Sequence, residues 1–345
     1  MKMPSVFTKK RVAVFVAGSW GTALANNMAK SGHQVTLFSR SEKHVFDMQQ
    51  SHCNQKYLPD VPLSESLLFT SDLSVAVQEA EVILFAVPSN AMREIATQVA
   101  AISSPNVLII HATKGFEADT LKRMSTVIEE AFEIRGSKSI VVLSGPSHAE
   151  EVVRGYPTTV VVASENEHAA REAQDLLSSD AFRVYTNSDV IGLEVAGALK
   201  NVVAIGAGIS DGLGFGDNAK AALITRGLAE MTRLGVAMGA QSATFAGLGG
   251  LGDLVVTCTS RHSRNWRAGN QIGQGQTLEV VLREMGMVVE GVKSTVAAYQ
   301  LSQKYDVDMP IATELYRILV ENKSAKKAVN DLMTRDKTNE RMLGQ

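Results

Sequence analysis

The feature that most constrains the fold is a series of short apolar runs, separated by helical patterns, over the first 190 residues. Most of these runs are apolar throughout rather than alternately apolar and polar. That pattern is typical of parallel strands covered by helices on both faces. We predict strands at RVAVFV (11–16), QVTLFS (34–39), EVILFAV (81–87), NVLIIHA (106–112), SIVVLSG (139–145), TTVVVAS (158–164) and FRVYTN (182–187). The segments between them have amphipathic helical patterns, so this half is predicted to be a doubly wound α/β sheet.

After residue 190 the strand-like runs stop, and the chain becomes mostly Ala-, Gly- and Leu-rich helix broken by glycine loops. We therefore predict two domains, an α/β domain over 1–190 and an all-α domain over 191–345. The longest apolar run, IGLEVAGALKNVVAIGAGI (191–209), contains Glu194, Lys200 and Asn201 together with four glycines. A membrane span tolerates such residues poorly, so this run is not predicted to cross a membrane.

Composition excludes several classes of partner. The formal net charge is −2 and 20% of residues are charged, so there is no bulk attraction to nucleic acid or to anionic membranes. Cys53 and Cys258 are far apart and form no CxxC pair. This argues against a disulfide framework or a structural zinc site and fits a reducing compartment. The first residues lack the apolar core of a signal peptide, so we expect a cytoplasmic protein.

The first predicted strand runs into a helix through VAGSWG (16–21), which resembles a dinucleotide-binding turn. The full pattern has glycines at positions 16, 18 and 21, where this chain has Val16, Gly18 and Gly21. The two glycines that remain serve the approach of a pyrophosphate and the packing of helix on strand, whereas Val16 replaces the glycine of the tight turn. A strand–turn–helix corner without a ligand is the alternative. The residues of this turn predicted to bind a dinucleotide are Gly18, Ser19, Trp20 and Gly21.

The end of the second predicted strand bears on the choice of cofactor. An NAD site usually has Asp or Glu there, about 20 residues beyond the first glycine, to accept from the ribose 2′-OH. This chain has Ser39 and Arg40 at that place. A guanidinium group suits a 2′-phosphate, so the sequence favours NADPH as cofactor without excluding NADH. The alternative is that Arg40 simply caps a surface strand.

Further stretches match one family when they are taken together. They are GSWGTALA, HATKGFE, LSGPSHAEEV, GALKNVVAIGAGISDG, GLGGLGDLVVTCTSRHSRN and VVEGVKS, and the match spans about residues 11–320. The chain resembles the bacterial NAD(P)-dependent glycerol-3-phosphate dehydrogenases. The resemblance implies an N-terminal Rossmann-type domain, an α-helical C-terminal domain and a homodimer. It also implies reduction of dihydroxyacetone phosphate to sn-glycerol 3-phosphate, a precursor of phospholipids. The chain departs from the family at Val16, and at Arg261 and His262 within a stretch that varies.

Lys200 is the first candidate for a catalytic residue, because it is one of three polar side chains in an otherwise apolar run. A lysine near apolar walls loses hydration, which lowers its pKa toward the range useful for proton transfer. Reduction of a ketone needs such a donor, since hydride addition leaves an alkoxide. The resemblance assigns the general acid/base of the family to Lys200. A lysine that extends from a packed helix to solvent is the alternative.

Two further residues join Lys200 as catalytic candidates. Lys114 follows the predicted strand 106–112, at the strand end where ligands of open α/β sheets bind, and it resembles the family's lysine that contacts both substrate and cofactor. Asp253 lies in the glycine-dense GLGGLGDL, where a carboxylate can orient a lysine or accept from a substrate hydroxyl. Taken alone, Lys114 is a solvated loop lysine and Asp253 a helix N-cap.

The remaining site residues come from the resemblance. It assigns small polar contacts to the substrate, besides Lys114, Lys200 and Asp253, to Gly145 and Ser147. It assigns the substrate phosphate to Ser263, Arg264 and Asn265, where an arginine fork suits phosphate oxygens. It assigns cofactor contacts, besides the turn and Arg40, to Lys114, Ala149, Arg264, Val288 and Glu290. Without the resemblance, 263–265 is a solvated charged loop. The seven histidines show no HxxxH pair, and no metal is implied.

Two rival functions remain at this stage. One is a related dehydrogenase that acts on a keto acid, because Arg264 can pair with a carboxylate as well as with a phosphate. The other is a catalytically silent NADPH-binding sensor in which Val16 marks relaxed nucleotide use. The presence of Lys114, Lys200 and Asp253 argues against the sensor, which has no need of a proton donor.

Overall fold

The chain folds into two compact units. The computed structural model describes residues 9–132, 140–286, 288–337 and 339–340. The first unit contains the described residues of Met1–Thr113, Met124–Leu143 and Ser147–Ser188. The second contains the described residues of Lys114–Arg123, Ser144–Pro146 and Asp189–Gln345. Two short segments of the N-terminal half therefore group with the second unit.

The first unit contains an eight-stranded sheet. Its strands and those of a small antiparallel pair are β1 (Arg11–Phe15), β2 (Gln34–Phe38), β3 (Cys53–Asn54), β4 (Leu58–Pro62), β5 (Leu68–Thr70), β6 (Val82–Phe85), β7 (Leu108–His111), β8 (Ile140–Ser144), β9 (Thr158–Ala163) and β10 (Phe182–Asn187). The sheet order is β10-β9-β8-β7-β6-β1-β2-β5. Strand β1 pairs in parallel with β2 and β6, and the pairs β2–β5, β6–β7, β7–β8 and β9–β10 are also parallel. The predicted α/β sheet is confirmed.

Strand β1 shows why the strand sequences are apolar throughout. Val12 and Val14 belong to one apolar core of the unit, whereas Ala13 and Phe15 belong to another. Successive side chains of a strand point to opposite faces of the sheet. A strand that is buried on both faces therefore needs an apolar residue at every position.

Seven helices accompany these strands in the described part of the first unit. They are α1 (Ser19–Lys30), α2 (Glu42–Ser51), α3 (Leu73–Val77), α4 (Met92–Ile102), α5 (Met124–Phe132), α6 (Ala149–Val152) and α7 (Glu167–Leu177). Local capping sets several of their starts. At α7, for example, the side chain of Asn166 accepts hydrogen bonds from the N–H groups of His168 and Ala169.

The segment from 41 to 80 contains elements that the sequence patterns did not predict. Strand β5 has three residues and pairs with β2 at the end of the sheet order, and β3 has two residues. Such short strands carry too few residues for a recognisable run. Several predicted strands also end earlier than expected; β6, for instance, stops at Phe85 rather than at 87.

The second unit is helical, and no strand follows Asn187 in the described ranges. Its helices are α8 (Val190–Gly212), α9 (Asp217–Ala237), α10 (Ser242–Phe245), α11 (Asp253–Thr259), α12 (Arg264–Gly273), α13 (Leu278–Met285), α14 (Glu290–Lys304), α15 (Pro310–Val320) and α16 (Ala325–Met333), with a π-helical turn at Leu248–Gly252. Helix α8 is long and apolar enough to cross a membrane, but 94% of its most apolar window is buried inside the protein. A helix that is apolar all round is typical of a protein core.

Helices α8 and α12 touch through their backbones. A Cβ atom at any of four glycines would overlap a backbone carbonyl oxygen of the facing helix; they are Gly208 and Gly212 on α8, and Gly269 and Gly273 on α12. Side chains at these positions would force the two helices apart. The glycines therefore fix the spacing of α12 from α8, which carries Lys200.

Candidate active site

The turn between β1 and α1 has the form of an anion-binding helix start. A Cβ at Gly21 would overlap the carbonyl oxygen of Val16, so glycine is required there by the close approach of α1 to the end of β1. The N–H of Gly18 donates to Val16 O at 2.8 Å, and Ala17 N donates to Phe38 O at 3.1 Å. Val16 packs against one of the apolar cores. The turn thus forms with valine in place of the first glycine.

Gly18 has a different reason to be glycine. Its φ of −77° suits any residue, and a Cβ there would meet no atom within 4 Å. Neither packing nor backbone strain in the described residues demands glycine. Gly18 is the N-cap of α1 and offers no side chain to cap the first N–H groups, and the first turn carries no acidic residue. Backbone N–H groups at such a start suit a pyrophosphate that approaches closely.

The other residues predicted around the dinucleotide differ in their surroundings. The ring of Trp20 packs against Phe182 at 6.5 Å between centroids, so Trp20 is held by the core of its unit. Arg40 is exposed just after β2. It makes no hydrogen bond or ion pair with any residue that the structure describes. Ser39 is buried, and its Oγ lies 3.4 Å from His44 Nδ1.

A lysine–aspartate cluster, consisting of Lys114, Lys200 and Asp253, lies in the second unit. Asp253 is 1% exposed. Its Oδ2 accepts a hydrogen bond from Lys114 Nζ at 2.5 Å, and its Oδ1 accepts one from Lys200 Nζ. Lys200 Nζ also donates to Thr257 Oγ1 at 2.8 Å. The hydroxyl of Thr257 donates in turn to the carbonyl oxygen of Asp253 at 2.6 Å, which leaves its lone pairs to the lysine.

The electrostatics of the lysine–aspartate cluster are strongly perturbed. Burial lowers the pKa of Lys200 to about 7; Asp253 opposes this effect and the like charge of Lys114 adds to it. Burial acts to raise the pKa of Asp253, but the adjacent Lys114 and Lys200 outweigh it and hold that pKa below its usual value. The arrangement is an ionised carboxylate that holds a lysine able to exchange its proton near neutral pH.

Neighbouring residues support the lysine–aspartate cluster without joining it. Phe116 is buried in the core of the second unit, and Arg123 Nη1 donates to Glu194 Oε2 on α8 at 2.6 Å. These two contacts hold the segment Lys114–Arg123 against α8.

Burial raises the pKa of the Cys258 thiol to about 12. Cys258 therefore stays a neutral thiol rather than a nucleophile.

The residues predicted to hold the phosphate form the start of α12. The Oγ of Ser263 caps the helix by accepting from Trp266 N at 3.2 Å. Asn265 Nδ2 donates to Asn201 Oδ1 at 2.8 Å, and Asn265 Oδ1 accepts from Gly291 N at 2.9 Å. Arg264, the first residue of α12, is half-buried. A helix N-terminus beside an arginine suits an anion.

Some of the predicted residues are in direct contact, whereas others belong to different units. Lys114, Lys200 and Asp253 are in direct contact. Gly145 lies in the second unit, at a positive φ of 130°, whereas Ser147 and Ala149 belong to the first. Val288 is 46% exposed, and Glu290 begins α14. No group of three or more His, Cys, Asp or Glu side chains in the described ranges is arranged to hold a metal.

Sequence reasoning assigned no role to two residues that contact the predicted site. Thr257 touches Lys200, and its position four residues after Asp253 puts both on one face of α11, which is a signal that the sequence offered. Asn201 was noticed only as a polar residue in an apolar run. Its contact with Asn265 depends on the close approach of α8 and α12, which no local pattern reveals.

The dinucleotide turn of an α/β sheet, together with a helical unit that carries a buried lysine on an aspartate, defines a two-domain nicotinamide-dependent dehydrogenase. Comparison with known proteins narrows this class. Residues 11–170 match the N-terminal model, and residues 189–330 the C-terminal model, of the NAD-dependent glycerol-3-phosphate dehydrogenases. The chain belongs to this family.

Individual relatives cover nearly the whole chain. The glycerol-3-phosphate dehydrogenase [NAD(P)+] of Lysinibacillus sphaericus (strain C3-41) is 54% identical over 331 residues, which are 96% of this chain and 98% of the relative. That of Bacillus subtilis (strain 168) is 53% identical over 96% of each chain. The crystal structure of the Coxiella burnetii glycerol-3-phosphate dehydrogenase superposes with a TM-score of 0.90 at 39% identity, covering 95% of this chain and 99% of that one.

Proposed function

We propose that this protein reduces dihydroxyacetone phosphate to sn-glycerol 3-phosphate with NADPH or NADH, with Lys200 as the proton donor, and so supplies glycerophospholipid synthesis. The names of the relatives support the reaction. The observation that carries the role of Lys200 is its burial against Asp253 and Thr257, with a pKa of about 7. A donor whose pKa lies near the working pH is the most effective general acid.

The residues of the β1–α1 turn fit the cofactor. No contact among the described residues requires glycine at position 18, whereas the close approach of a pyrophosphate does. When bound, the reduced nicotinamide supplies the hydride that the carbonyl carbon receives. The carbonyl oxygen then carries the negative charge, and Lys200 gives it a proton from Nζ. In the reverse direction neutral Lys200 takes that proton back.

Asp253 and Lys114 keep Lys200 fit for this role. Asp253 orients both ammonium groups, one on each carboxylate oxygen. Lys114 is less buried than Lys200, and its positive charge can polarise the substrate carbonyl. The same charge disfavours protonation of Lys200. The proton is therefore held loosely enough to be given up.

The remaining contacts are assigned by the family resemblance. We propose that Ser263, Arg264 and Asn265 at the start of α12 hold the phosphate, with Gly145 and Ser147 as further substrate contacts. Cofactor contacts beyond the turn are proposed at Arg40, Ala149, Val288 and Glu290, with Arg264 and Lys114 near both ligands. The exposed guanidinium of Arg40 supports a preference for NADPH through its 2′-phosphate.

The test follows NADPH and NADH oxidation by absorbance, with dihydroxyacetone phosphate as substrate and keto acids in parallel. Lys200→Ala is expected to lower turnover about 100-fold or more, because general acid catalysis typically contributes that much, while NADPH affinity stays near the wild-type value. Lys326→Ala, on the exposed face of α16, is the matched control and should keep full activity.

Each contrary result has a distinct meaning. Near-normal turnover of Lys200→Ala would refute Lys200 as the proton donor. Cofactor oxidation with keto acids, but not with dihydroxyacetone phosphate, would refute dihydroxyacetone phosphate as the substrate. Tight binding of NADPH without any oxidation would identify a sensor rather than an enzyme.

We further propose that the protein is a homodimer of the cytoplasm. The homodimer rests on the family resemblance. The compartment is supported by two free thiols, at Cys53 and Cys258. Sedimentation velocity of the purified protein decides the first point, since a single monomer peak at micromolar concentration contradicts a dimer.

A further inference from the structure

A buried hydroxyl near the lysine–aspartate cluster has no role in the reaction proposed above. Ser144 ends β8 and is 5% exposed. Its Oγ is buried and makes no hydrogen bond with the residues that the structure describes. A buried hydroxyl without a partner is destabilising, and most such groups in folded proteins are satisfied. The described residues therefore offer no hydrogen bond that accounts for a serine at this position.

Gly197, one helical turn before Lys200 on α8, lies against this hydroxyl. A Cβ at Gly197 would lie 3.1 Å from Ser144 Oγ, and 3.8 and 3.9 Å from Cγ and Cδ of Lys114. The side chain of Lys114 thus passes over α8 at a position where α8 has no side chain. The Ser144 hydroxyl borders the same small space.

The segment Ser144–Pro146 also touches the other element of the cluster. A Cβ at Gly252, the residue before Asp253, would lie 3.7 Å from Cγ and Cδ of Pro146. The segment therefore contacts both α8, which carries Lys200, and the turn that leads into Asp253. The segment thus lies beside the elements that carry both Lys200 and Asp253.

We propose that Ser144 and Gly197 are a matched pair of positioning residues, in which the serine hydroxyl fills the space that glycine leaves beside Lys114. The limited space between this hydroxyl and Gly197 fixes the aliphatic part of Lys114, so that its ammonium group remains on Asp253. The inference rests on the catalytic role proposed for Lys114. It assigns to Ser144 a steric role, which agrees with the absence of a hydrogen-bond partner for its Oγ among the described residues.

The first variant is Gly197→Ala. The added methyl group lies 3.1 Å from the Ser144 hydroxyl, which must shift by a few tenths of an ångström, and this shift disturbs the packing that holds Lys114. Because misplacing a catalytic group by about 1 Å can cost about 100-fold in rate, this smaller disturbance is expected to lower kcat for the reduction by about 10-fold. NADPH affinity should be unchanged. Alanine is favoured over glycine inside a helix, so the Tm should not fall. Gly206→Ala, in the same helix, meets the flexible ends of Leu223 and Leu315 at 3.3 and 3.4 Å and should retain the wild-type kcat.

The double variant Gly197→Ala/Ser144→Ala is the sharper test. It removes the hydroxyl and adds a methyl group 3.1 Å from the position of that hydroxyl, which relieves the close contact and nearly conserves the volume beside Lys114. Ser144→Ala alone should lower kcat less than Gly197→Ala does. The double variant should recover kcat to within about threefold of wild type, a non-additive result expected of residues in contact. A double variant as slow as Gly197→Ala would overturn the proposal.

The pH profile of kcat/KM distinguishes displacement of Lys114 from a general loss of rigidity around the lysine–aspartate cluster. Lys114 lowers the pKa of Lys200 through its like charge, so displacement of Lys114 in Gly197→Ala should move the basic limb of kcat/KM to higher pH. A limb at its wild-type position contradicts the proposal. Lys114→Ala is measured alongside. Full activity of Lys114→Ala would refute the catalytic role of Lys114, whereas an inactive Lys114→Ala with a fully active Gly197→Ala would refute only the positioning pair.

Discussion

At the scale of the residue, the proposed chemistry depends on one lysine that burial has made easy to deprotonate. Lys200 would be permanently charged in water, since its ordinary pKa is 10.5. Burial removes most of the hydration of its ammonium group, and Asp253 restores only part of the lost stabilisation. The result is a group that is protonated below about pH 7 and neutral above it.

This titration predicts opposite pH dependences for the two directions of the reaction. Reduction needs protonated Lys200, so its kcat/KM should fall above about pH 7, whereas glycerol 3-phosphate oxidation needs the neutral amine and should rise over the same range. Asp253→Asn removes the carboxylate that raises the pKa of Lys200. The pH above which kcat/KM for reduction falls should therefore be lower in this variant. Rate profiles from pH 5 to 10 measure both. Reduction that stays flat up to pH 9 is incompatible with Lys200 as the donor.

At the scale of the element, the junction of β1 and α1 contains two glycines with different roles: Gly21 is structural, whereas we propose that Gly18 binds the cofactor. Gly21 allows the helix to meet the strand end, whereas a Cβ at Gly18 has free space and an ordinary φ. The same substitution at the two positions therefore has different consequences.

Gly18→Ala is expected to fold with a Tm within a few degrees of wild type but to bind NADPH at least 10-fold more weakly, because the methyl group occupies the approach of the pyrophosphate. Gly21→Ala is expected to lower the stability itself, by about 1–3 kcal/mol, since overpacking forces the backbone to shift. Thermal unfolding and fluorescence titration of NADPH distinguish the two. If Gly18→Ala bound NADPH as tightly as the wild type, the pyrophosphate would not bind at this turn.

At the scale of the whole molecule, the second unit is discontinuous in the sequence. The segment Lys114–Arg123 comes from the middle of the α/β half, yet Phe116 lies in the apolar core of the helical unit and Arg123 pairs with Glu194. A domain cut out at its linear boundary would lose both contacts.

A fragment of residues 189–345 is therefore expected to lack a cooperative unfolding transition. Loss of a buried phenylalanine typically costs about 3–5 kcal/mol, and loss of the partner of a buried charge costs a similar amount, against a total stability of about 5–15 kcal/mol. Circular dichroism during heating measures the transition. Phe116→Ala in the full chain is the matched comparison and should lower the Tm. A sharp transition in the fragment, with an unaffected Phe116→Ala, would contradict this account.

These three scales explain what the sequence could and could not reveal. The strands around β1 were predictable because burial on both faces leaves an unbroken apolar run, whereas β5 has three residues at the end of the sheet order. Lys200 stood out as a charge in an apolar helix. The contact of Asn201 with Asn265 and the membership of Lys114–Arg123 in the second unit arise from long-range packing. No local pattern in the sequence indicates such packing.

The backbone contact between α8 and α12 has a consequence for how this enzyme changes over evolutionary time. A helix pair separated by side chains can drift, because one substitution is compensated by another across the interface. The four glycines of α8 and α12 leave no such intermediate steps, since even one methyl group overlaps a carbonyl oxygen. The same close contact sets the distance between the helices that carry Asn201 and Asn265, which are hydrogen-bonded to each other. The start of α12, where we propose that the substrate phosphate binds, is thereby protected from gradual change, since any one of these substitutions forces the two helices apart in a single step.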